Sequence, residues 1–298
     1  MLEIKNATKR FGDIKALDGL DFTVPEGTVF GLVGSNGAGK STLLRLISGI
    51  YAPDEGGAYI DEELTYESIN AKSELFFIPD FPYYYGSSTL NNTADLLRMV
   101  YRDWDEDYFE KLCSTFPINR KQRIINMSKG MQRQASLILA LSTRPKYLLL
   151  DEIFDGLDPV VRALVKRLIV ENVTDRDMAV VIASHNLREL EDICDHIGLM
   201  HKGKIILQRE LDEIKCDIHK VQVAFSQPVG DDIFAGINVI KQSRQGNLFS
   251  ITVRGAEEDY LPKLRALEPA FMENLPLTLE EVFIEEMEGV GYDANNIL

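Results

Sequence analysis

Residues 34–42 read Gly34-Ser35-Asn36-Gly37-Ala38-Gly39-Lys40-Ser41-Thr42, a glycine, four residues, then Gly-Lys-Ser. Glycines let a chain curl until several N–H groups face one anion, and a following helix adds the positive end of its dipole. Lys40 in this place would reach β- and γ-phosphates, and the Ser41 hydroxyl would ligate Mg²⁺. Three more groups could join them: Ser128-Lys129-Gly130 at the head of a helical pattern, Asp151-Glu152 after four large residues, and His185 after another apolar run. Each has an ordinary alternative: Ser128 as an N-cap, the acids as a polar strand end, His185 as a satisfied side chain. Together they supply what nucleoside triphosphate hydrolysis requires, namely cancelled phosphate charge, a metal bridge and an oriented water. Lys40 and the loop amides serve the phosphates, and Ser41 with Asp151 would hold Mg²⁺. Glu152 would orient or activate water, and His185 would hydrogen-bond the γ-phosphate or that water.

The elements around these residues are those such chemistry needs. Thr28–Val33 reads as a buried strand, and Leu43–Ser48 as a helix stopped by Gly49. Tyr147–Leu150 and Ala179–Ala183 read as buried parallel strands with Asp151-Glu152 and Ser184-His185 at their C-terminal ends, where ligands bind in open α/β sheets. Leu2–Thr8 and Leu20–Val24 alternate as strands, with Phe11 between them as a core aromatic or a face for a base to stack on. Pro53–Gly57 reads as a turn, and Leu90 to Phe116 as helical, with starts at Asn91-Asn92 and Asp103. Between strand Leu75–Ile78 and that helical stretch lies an aromatic loop, Asp80–Gly86, either folded onto its own domain or exposed as a contact for another protein. Ser128 opens a helix through Leu141, Asp158-Pro159 opens another, and Lys202-Gly203 marks a hairpin.

The chain has 298 residues, 45% hydrophobic, with a formal net charge of −15. No basic stripe for nucleic acid stands out against that charge. The N-terminus shows no apolar signal core, and no run approaches the ~20 apolar residues that span a bilayer. Cys113, Cys194 and Cys216 have no metal or redox spacing and read as thiols in a reducing cytosol. From residue 216 the composition shifts to 14 acids against 6 Lys and Arg, which excludes a nucleic-acid arm. Strand patterns at Val221–Phe225 and Leu248–Val253, helical patterns at Tyr260–Leu267 and Thr278–Met287, and the capping box Thr278-Leu279-Glu280-Glu281 give a small acidic α+β domain. The expected division is therefore 1–215 and 216–298, with a helical insert at about 88–142 and a frayed end at Gly289–Leu298.

In this order the motifs resemble those of the ATP-binding subunits of ABC transporters, over about residues 2–215. Gly34–Thr42 matches Walker A, Ser128–Gln132 resembles the signature, and Tyr147–Glu152 matches Walker B with its catalytic glutamate. Gly156-Leu157-Asp158 matches the D-loop and Ser184-His185 the switch histidine, while Phe11 takes the adenine-stacking place. The resemblance implies an α/β P-loop NTPase core with an antiparallel β subdomain. It also implies a head-to-tail dimer around two ATP, each held by one chain's Walker A and the other chain's Ser128 and Gly130. Three departures stand out. Met127 and Lys129 replace the commoner Leu and Gly of the signature, with Lys129 expected to point into solvent. Asp80 stands where a glutamine is usual, as a possible metal contact, and Ile153-Phe154-Asp155 follows Walker B. The segment Thr278–Phe283 resembles the tail of exporter-type, ABC-2 ATPases. That implies separate transmembrane permease subunits, a cytoplasmic place on the inner face of the membrane, and the aromatic loop as their contact. Two other readings stay open: a soluble ATPase acting on nucleic acid or the ribosome, and a C-terminal domain that gates the ATPase.

Overall fold

The computed structural model describes residues 1–213, 218–275 and 278–283. The chain forms two compact units, residues 1–208 and residues 209–298. In the first, β1 (Leu2–Phe11) pairs antiparallel with β2 (Ile14–Val24). A second sheet begins with β3 (Val29–Val33), which runs straight into the glycine loop and helix α1 (Lys40–Ile47). Then follow β4 (Glu55–Ile60), β5 (Glu63–Leu64), the short helix α2 (Ile69–Ser73) and β6 (Leu75–Ile78). The antiparallel sheet takes the order β2-β1-β4-β5.

Pro53–Gly57, expected as a turn, gives its last three residues to β4. Gly56 has φ 59°, and a Cβ there would stand 2.1 Å from the Lys5 carbonyl oxygen of β1, so pairing with β1 needs glycine at this point.

The expected helical stretch from Leu90 to Phe116 is two helices, α3 (Leu90–Val100) and α4 (Glu106–Thr115). Their N-caps are Thr89 and Asp105, not Asn91-Asn92 and Asp103. Thr89 Oγ1 accepts from the Asn92 amide while the Asn92 side chain accepts from the Thr89 amide, and Asp105 Oδ1 accepts from the Tyr108 amide. Helix α5 (Lys129–Ser142) starts at the Ser128 cap. After it come β7 (Tyr147–Asp151), α6 (Pro159–Arg176), β8 (Ala179–Ser184), α7 (Leu187–Glu191), β9 (His196–His201) and β10 (Lys204–Glu210).

The main sheet has the order β10-β9-β3-β8-β7-β6, with β9, β3, β8, β7 and β6 parallel. Every residue of β3, β7 and β8 is buried, which is why these strands read as unbroken apolar runs rather than alternating ones.

The second unit is an antiparallel sheet of β11 (Ile218–Ala224), β12 (Val239–Gln245), β13 (Leu248–Arg254) and β14 (Phe271–Leu275), in the order β12-β13-β11-β14. Alternate residues Val221, Val223, Phe249, Ile251 and Val253 pack against Tyr260 and Leu264 of α8 (Glu257–Ala266). The Thr278–Glu281 capping box forms in both directions. Cys194 is buried and Cys113 half-buried. Cys216, residues 284–287 of the expected last helix and the tail Gly289–Leu298 lie outside the described residues.

Candidate nucleotide site

The phosphate loop is built from close backbone contacts. A Cβ on Gly34 would stand 2.3 Å from the Met200 carbonyl oxygen, and one on Gly39 (φ 109°) 2.6 Å from the Ala16 carbonyl oxygen. Both positions therefore need glycine. Lys40, first residue of α1, is buried, and its Nζ donates to the Gly34 carbonyl oxygen at 2.6 Å and the Ser35 carbonyl oxygen at 3.4 Å. Burial lowers its pKa, and the charges of Glu152 and Asp151 act the other way.

The sheet register brings the acids to this loop. Val33 pairs with Ser184 and Asp151 with Ala183, so β3, β7 and β8 end side by side. Asp151 is buried, and neither carboxylate oxygen meets a hydrogen bond of normal geometry among the described residues. Burial pushes its carboxyl up, while the Ser41 hydroxyl beside it pulls the other way. Two orphaned buried oxygens next to a hydroxyl suit a hard cation such as Mg²⁺. Among the described residues no group of three His, Cys, Asp or Glu could hold a metal alone. Such an ion here would complete its shell with phosphate and water oxygens.

Glu152 turns out of β7 with φ 51°, a left-handed conformation uncommon for a residue with a side chain. Its amide donates to the Ala183 carbonyl oxygen at 2.9 Å. Its carboxylate accepts from His185 Nδ1 at 2.9 Å and from Ser184 Oγ at 3.3 Å. Ser184 Oγ in turn accepts from the Asn186 amide. In the sequence Ser184 has no role of its own and stands only beside His185 at a strand end.

A cleft of about 480 Å³ lies over the loop. Asn36 through Thr42, Asp80 and Glu152 line it, together with Ile14, Lys15 and Ala16 of β2 and the Lys202-Gly203 turn. Those last five residues went unrecognised in the sequence. Their signal is the Lys202-Gly203 pair, with φ 44° and 77° in the hairpin. Hydrogen bonds from the Gly203 amide to the Ala38 carbonyl oxygen and from the Asp18 amide to the Gly203 carbonyl oxygen tie that hairpin to the loop and to β2.

Seven expected residues are outside this lining: Gly34, Ser35, Asp151 and His185, each bonded or adjacent in the chain to a lining residue, and Phe11, Ser128 and Gly130. Phe11 faces Tyr51 edge-on at 5.3 Å, with Lys9 Nζ 5.6 Å from its ring, and pairs across β1–β2 with Ile14, which does line the cleft. Ser128 Oγ accepts from the Met131 amide of its own helix. Gly130 packs against the segment after β7: a Cβ there would lie 2.7 Å from the Gly156 carbonyl oxygen.

Lys129 is exposed to solvent, as expected, and also takes a partner at the surface. Its Nζ bonds Asp155 Oδ2 at 2.5 Å, because Asp155 leaves β7 towards the first turn of α5. Asp80 lines the cleft, but its carboxylate accepts from Arg133 Nη2 at 2.6 Å, a competitor to any metal. In the aromatic loop Tyr84 is anchored through a hydroxyl bond to Ser136, while Phe81, Tyr83 and Tyr85 are exposed. A groove of about 230 Å³ opens beside them, lined by Phe77, Pro82, Tyr83 and Leu97 among others.

Known proteins resemble this arrangement closely. A family profile described as ABC transporter matches residues 17–155. The ABC transporter ATP-binding protein YtrB of Bacillus subtilis (strain 168) is 32% identical over 289 residues, covering 97% of this chain and 99% of that protein. The lantibiotic transport ATP-binding protein SrtF of Streptococcus pyogenes is 31% identical over 215 residues, covering 71% of this chain and 92% of that one. A solved ATP-binding subunit of an ABC transporter superposes with a TM-score of 0.67 at 26% identity, over 72% of this chain and 92% of that one.

Proposed function

Because the chain belongs to the ATP-binding subunits of ABC transporters, we propose that two copies close around two ATP and drive export through separate membrane subunits. The core is a P-loop NTPase and the chain an ATP hydrolase. The loop amides and Lys40 hold the phosphates. Ser41 and Asp151 hold Mg²⁺, whose chemistry would be to cancel charge on the β- and γ-phosphate oxygens. Glu152 takes the proton of the attacking water. His185 and Ser184 fix the direction of its carboxylate. With Nδ1–H given to Glu152, a neutral His185 ring has only an acceptor left at Nε2, which suits a water proton. A protonated ring would instead donate to a phosphate oxygen.

The observation that carries the two-copy reading is the division of the site. Lys40, Ser41 and Glu152 share one cleft, while Ser128 and Gly130 do not line it. The start of α5 is a second anion-binding end with no phosphate loop of its own. A second copy supplies one. Phe11 and Ile14 offer the faces for the base.

Among the described residues no helix is long and apolar enough to cross a membrane. The exposed rings of Phe81, Tyr83 and Tyr85 support this loop as the docking surface for a permease subunit, with the chain then on the inner face of the membrane. Two relatives are named for transport, the lantibiotic transport ATP-binding protein SrtF and the bacitracin transport ATP-binding protein BcrA of Bacillus licheniformis. Their names support transport here, and the export direction rests on the resemblance of Thr278–Phe283 to the tail of exporter-type ATPases.

The function is tested by ATP titration and turnover in Lys40→Ala. Loss of binding and hydrolysis is expected, and parental values would remove the phosphate loop from the account. Permease docking is tested by affinity capture from solubilised membranes. A polytopic partner should be recovered with the parent and lost with Tyr83→Ala/Tyr85→Ala. Equal recovery would move the contact elsewhere.

A further inference from the structure

Four charges meet beside the cleft with no part in the chemistry above. Lys129 and Arg133 are four residues apart in α5 and so share one helix face. Asp80 reaches that face from the loop after β6, and Asp155 from the segment after β7. Arg133 Nη2 lies 2.6 Å from Asp80 Oδ1 and 3.8 Å from Asp155 Oδ2. Lys129 Nζ lies 2.5 Å from Asp155 Oδ2 and 4.0 Å from Asp80 Oδ1.

The two main pairs differ in weight. The side chains of Lys129 and Asp155 are 46% and 52% exposed, so solvent screens them and their pairing contributes little. Arg133 is 1% exposed, and its Nε and Nη1 find no acceptor among the described residues. Asp80 is the acid that answers this buried cation, and breaking a buried pair on one side leaves an uncompensated charge.

Asp80 also lines the phosphate cleft with Lys40 and Glu152. A bare carboxylate there repels the phosphates. We infer that Arg133 is a positioning residue for nucleotide binding: it takes the Asp80 carboxylate, cancels its charge towards the phosphates, and pins the start of α5 to the edge of the cleft. The inference rests on the proposed placement of ATP phosphates in that cleft. It gives Asp80 a structural partner instead of a metal, and links the helix that carries Ser128 and Gly130 to the occupied site.

The test is equilibrium titration of a non-hydrolysable ATP analogue with Mg²⁺, beside steady-state ATPase, on the parent, Arg133→Gln, Asp80→Asn and the double variant. Arg133→Gln should weaken analogue binding and raise KM by about tenfold, with a smaller change in kcat. Adding Asp80→Asn to it should return binding to within about threefold of the parent, because the carboxylate that needed cancelling is gone. Asp80→Asn alone should bind at least as tightly as the parent.

Should Arg133→Gln fail to fold, Arg133→Lys keeps the question open to decision. The retained charge should hold binding within about threefold. Parental binding by Arg133→Gln, absence of rescue in the double variant, or a tenfold loss in Asp80→Asn would each overturn the inference, the last by making Asp80 a contact that attracts the nucleotide complex. If the parent itself does not bind the analogue, the cleft assignment falls and this inference with it. If only the rescue fails, the cleft assignment stands.

Discussion

His185 Nδ1 lies 2.9 Å from Glu152 Oε1, which ties the residue after β8 to the residue after β7. Ser184 Oγ reaches the other oxygen of the same carboxylate at 3.3 Å. Glu152 is thus gripped on both oxygens while its backbone holds a strained φ of 51°. A general base needs a fixed direction as much as a suitable basicity. Ser184→Ala should lower kcat by about tenfold with KM for ATP nearly unchanged, since the hydroxyl touches the base and not the phosphates. His185→Ala should cost more, on the order of a hundredfold in kcat. A rise in KM without loss of kcat in either variant would place these residues in binding instead. Steady-state kinetics distinguishes the two.

Asp151 gives a prediction about stability. Burial disfavours the anion and pushes its carboxyl above the ordinary aspartate value of about 3.8. Below that value both the folded and unfolded chains carry it protonated, and no penalty arises. As pH climbs through the raised folded value, the folded chain takes on the full cost of a buried anion and keeps it at neutral pH. Asp151→Asn should therefore raise Tm of the nucleotide-free protein, at about 2–4 °C for each kcal/mol relieved, with a relief of order 1–3 kcal/mol. The same variant should lose the extra Tm that Mg²⁺ adds in the presence of ATP. Differential scanning calorimetry with and without Mg²⁺ reads both, and an undiminished Mg²⁺ increment would clear Asp151 of holding the ion.

Lys40 titrates with the opposite consequence for binding. Burial holds its pKa below the ordinary lysine value of about 10.5. Between the lowered folded value and 10.5 the unfolded chain binds more protons, so this group's contribution to stability rises with pH. Over the same window the cation that grips the phosphates is lost, so ATP affinity should fall with rising pH well before an ordinary lysine would titrate. Binding titrations at rising pH should show the fall in the parent before about 10.5, where an ordinary lysine titrates, and a flat, weak response in Lys40→Met. A parent whose affinity stays level up to about pH 10.5 would contradict the placement of Lys40.

Gly130 has a structural reason to be glycine. An alanine Cβ would stand 2.7 Å from the Gly156 carbonyl oxygen, and backbone does not yield cheaply. Gly130→Ala should separate the start of α5 from the segment after β7 and cost about 1–3 kcal/mol of stability by denaturant unfolding. A neutral substitution would mean the segment after β7 moves aside freely.

The parts of this molecule legible in its sequence are those encoded locally. The strand, glycine loop and helix of residues 28–48, the buried run before Asp151 and the Ser128 cap each announce themselves within a few residues. What stayed hidden needed two distant segments at once. Ile14, Lys15 and Ala16 line the cleft because a hairpin at Lys202-Gly203 holds β2 against the loop. Arg133 reads as one more charge on a helix until the fold buries it against Asp80. Lys129 stands in solvent as its sequence suggested, but its surface partner Asp155 arrives only through the sheet. The caps of α3 and α4 were misplaced by two or three residues for a different reason. Asn, Asp and Thr all cap well, and the choice among neighbours falls to which side chain can return the bond, as Asn92 does to Thr89.

The division of the site between copies is the centre of the account, and Glu152→Gln tests it most directly. With the base removed, turnover should drop by about 10²–10⁴-fold while ATP still binds. Light scattering on this variant with Mg²⁺ and ATP should then give twice the mass of the chain, falling back to the single mass when Ser128→Arg is added. A particle of single mass at saturating ATP, or a pair that forms equally well with Ser128→Arg, would contradict a nucleotide shared between one copy's phosphate loop and its partner's helix α5.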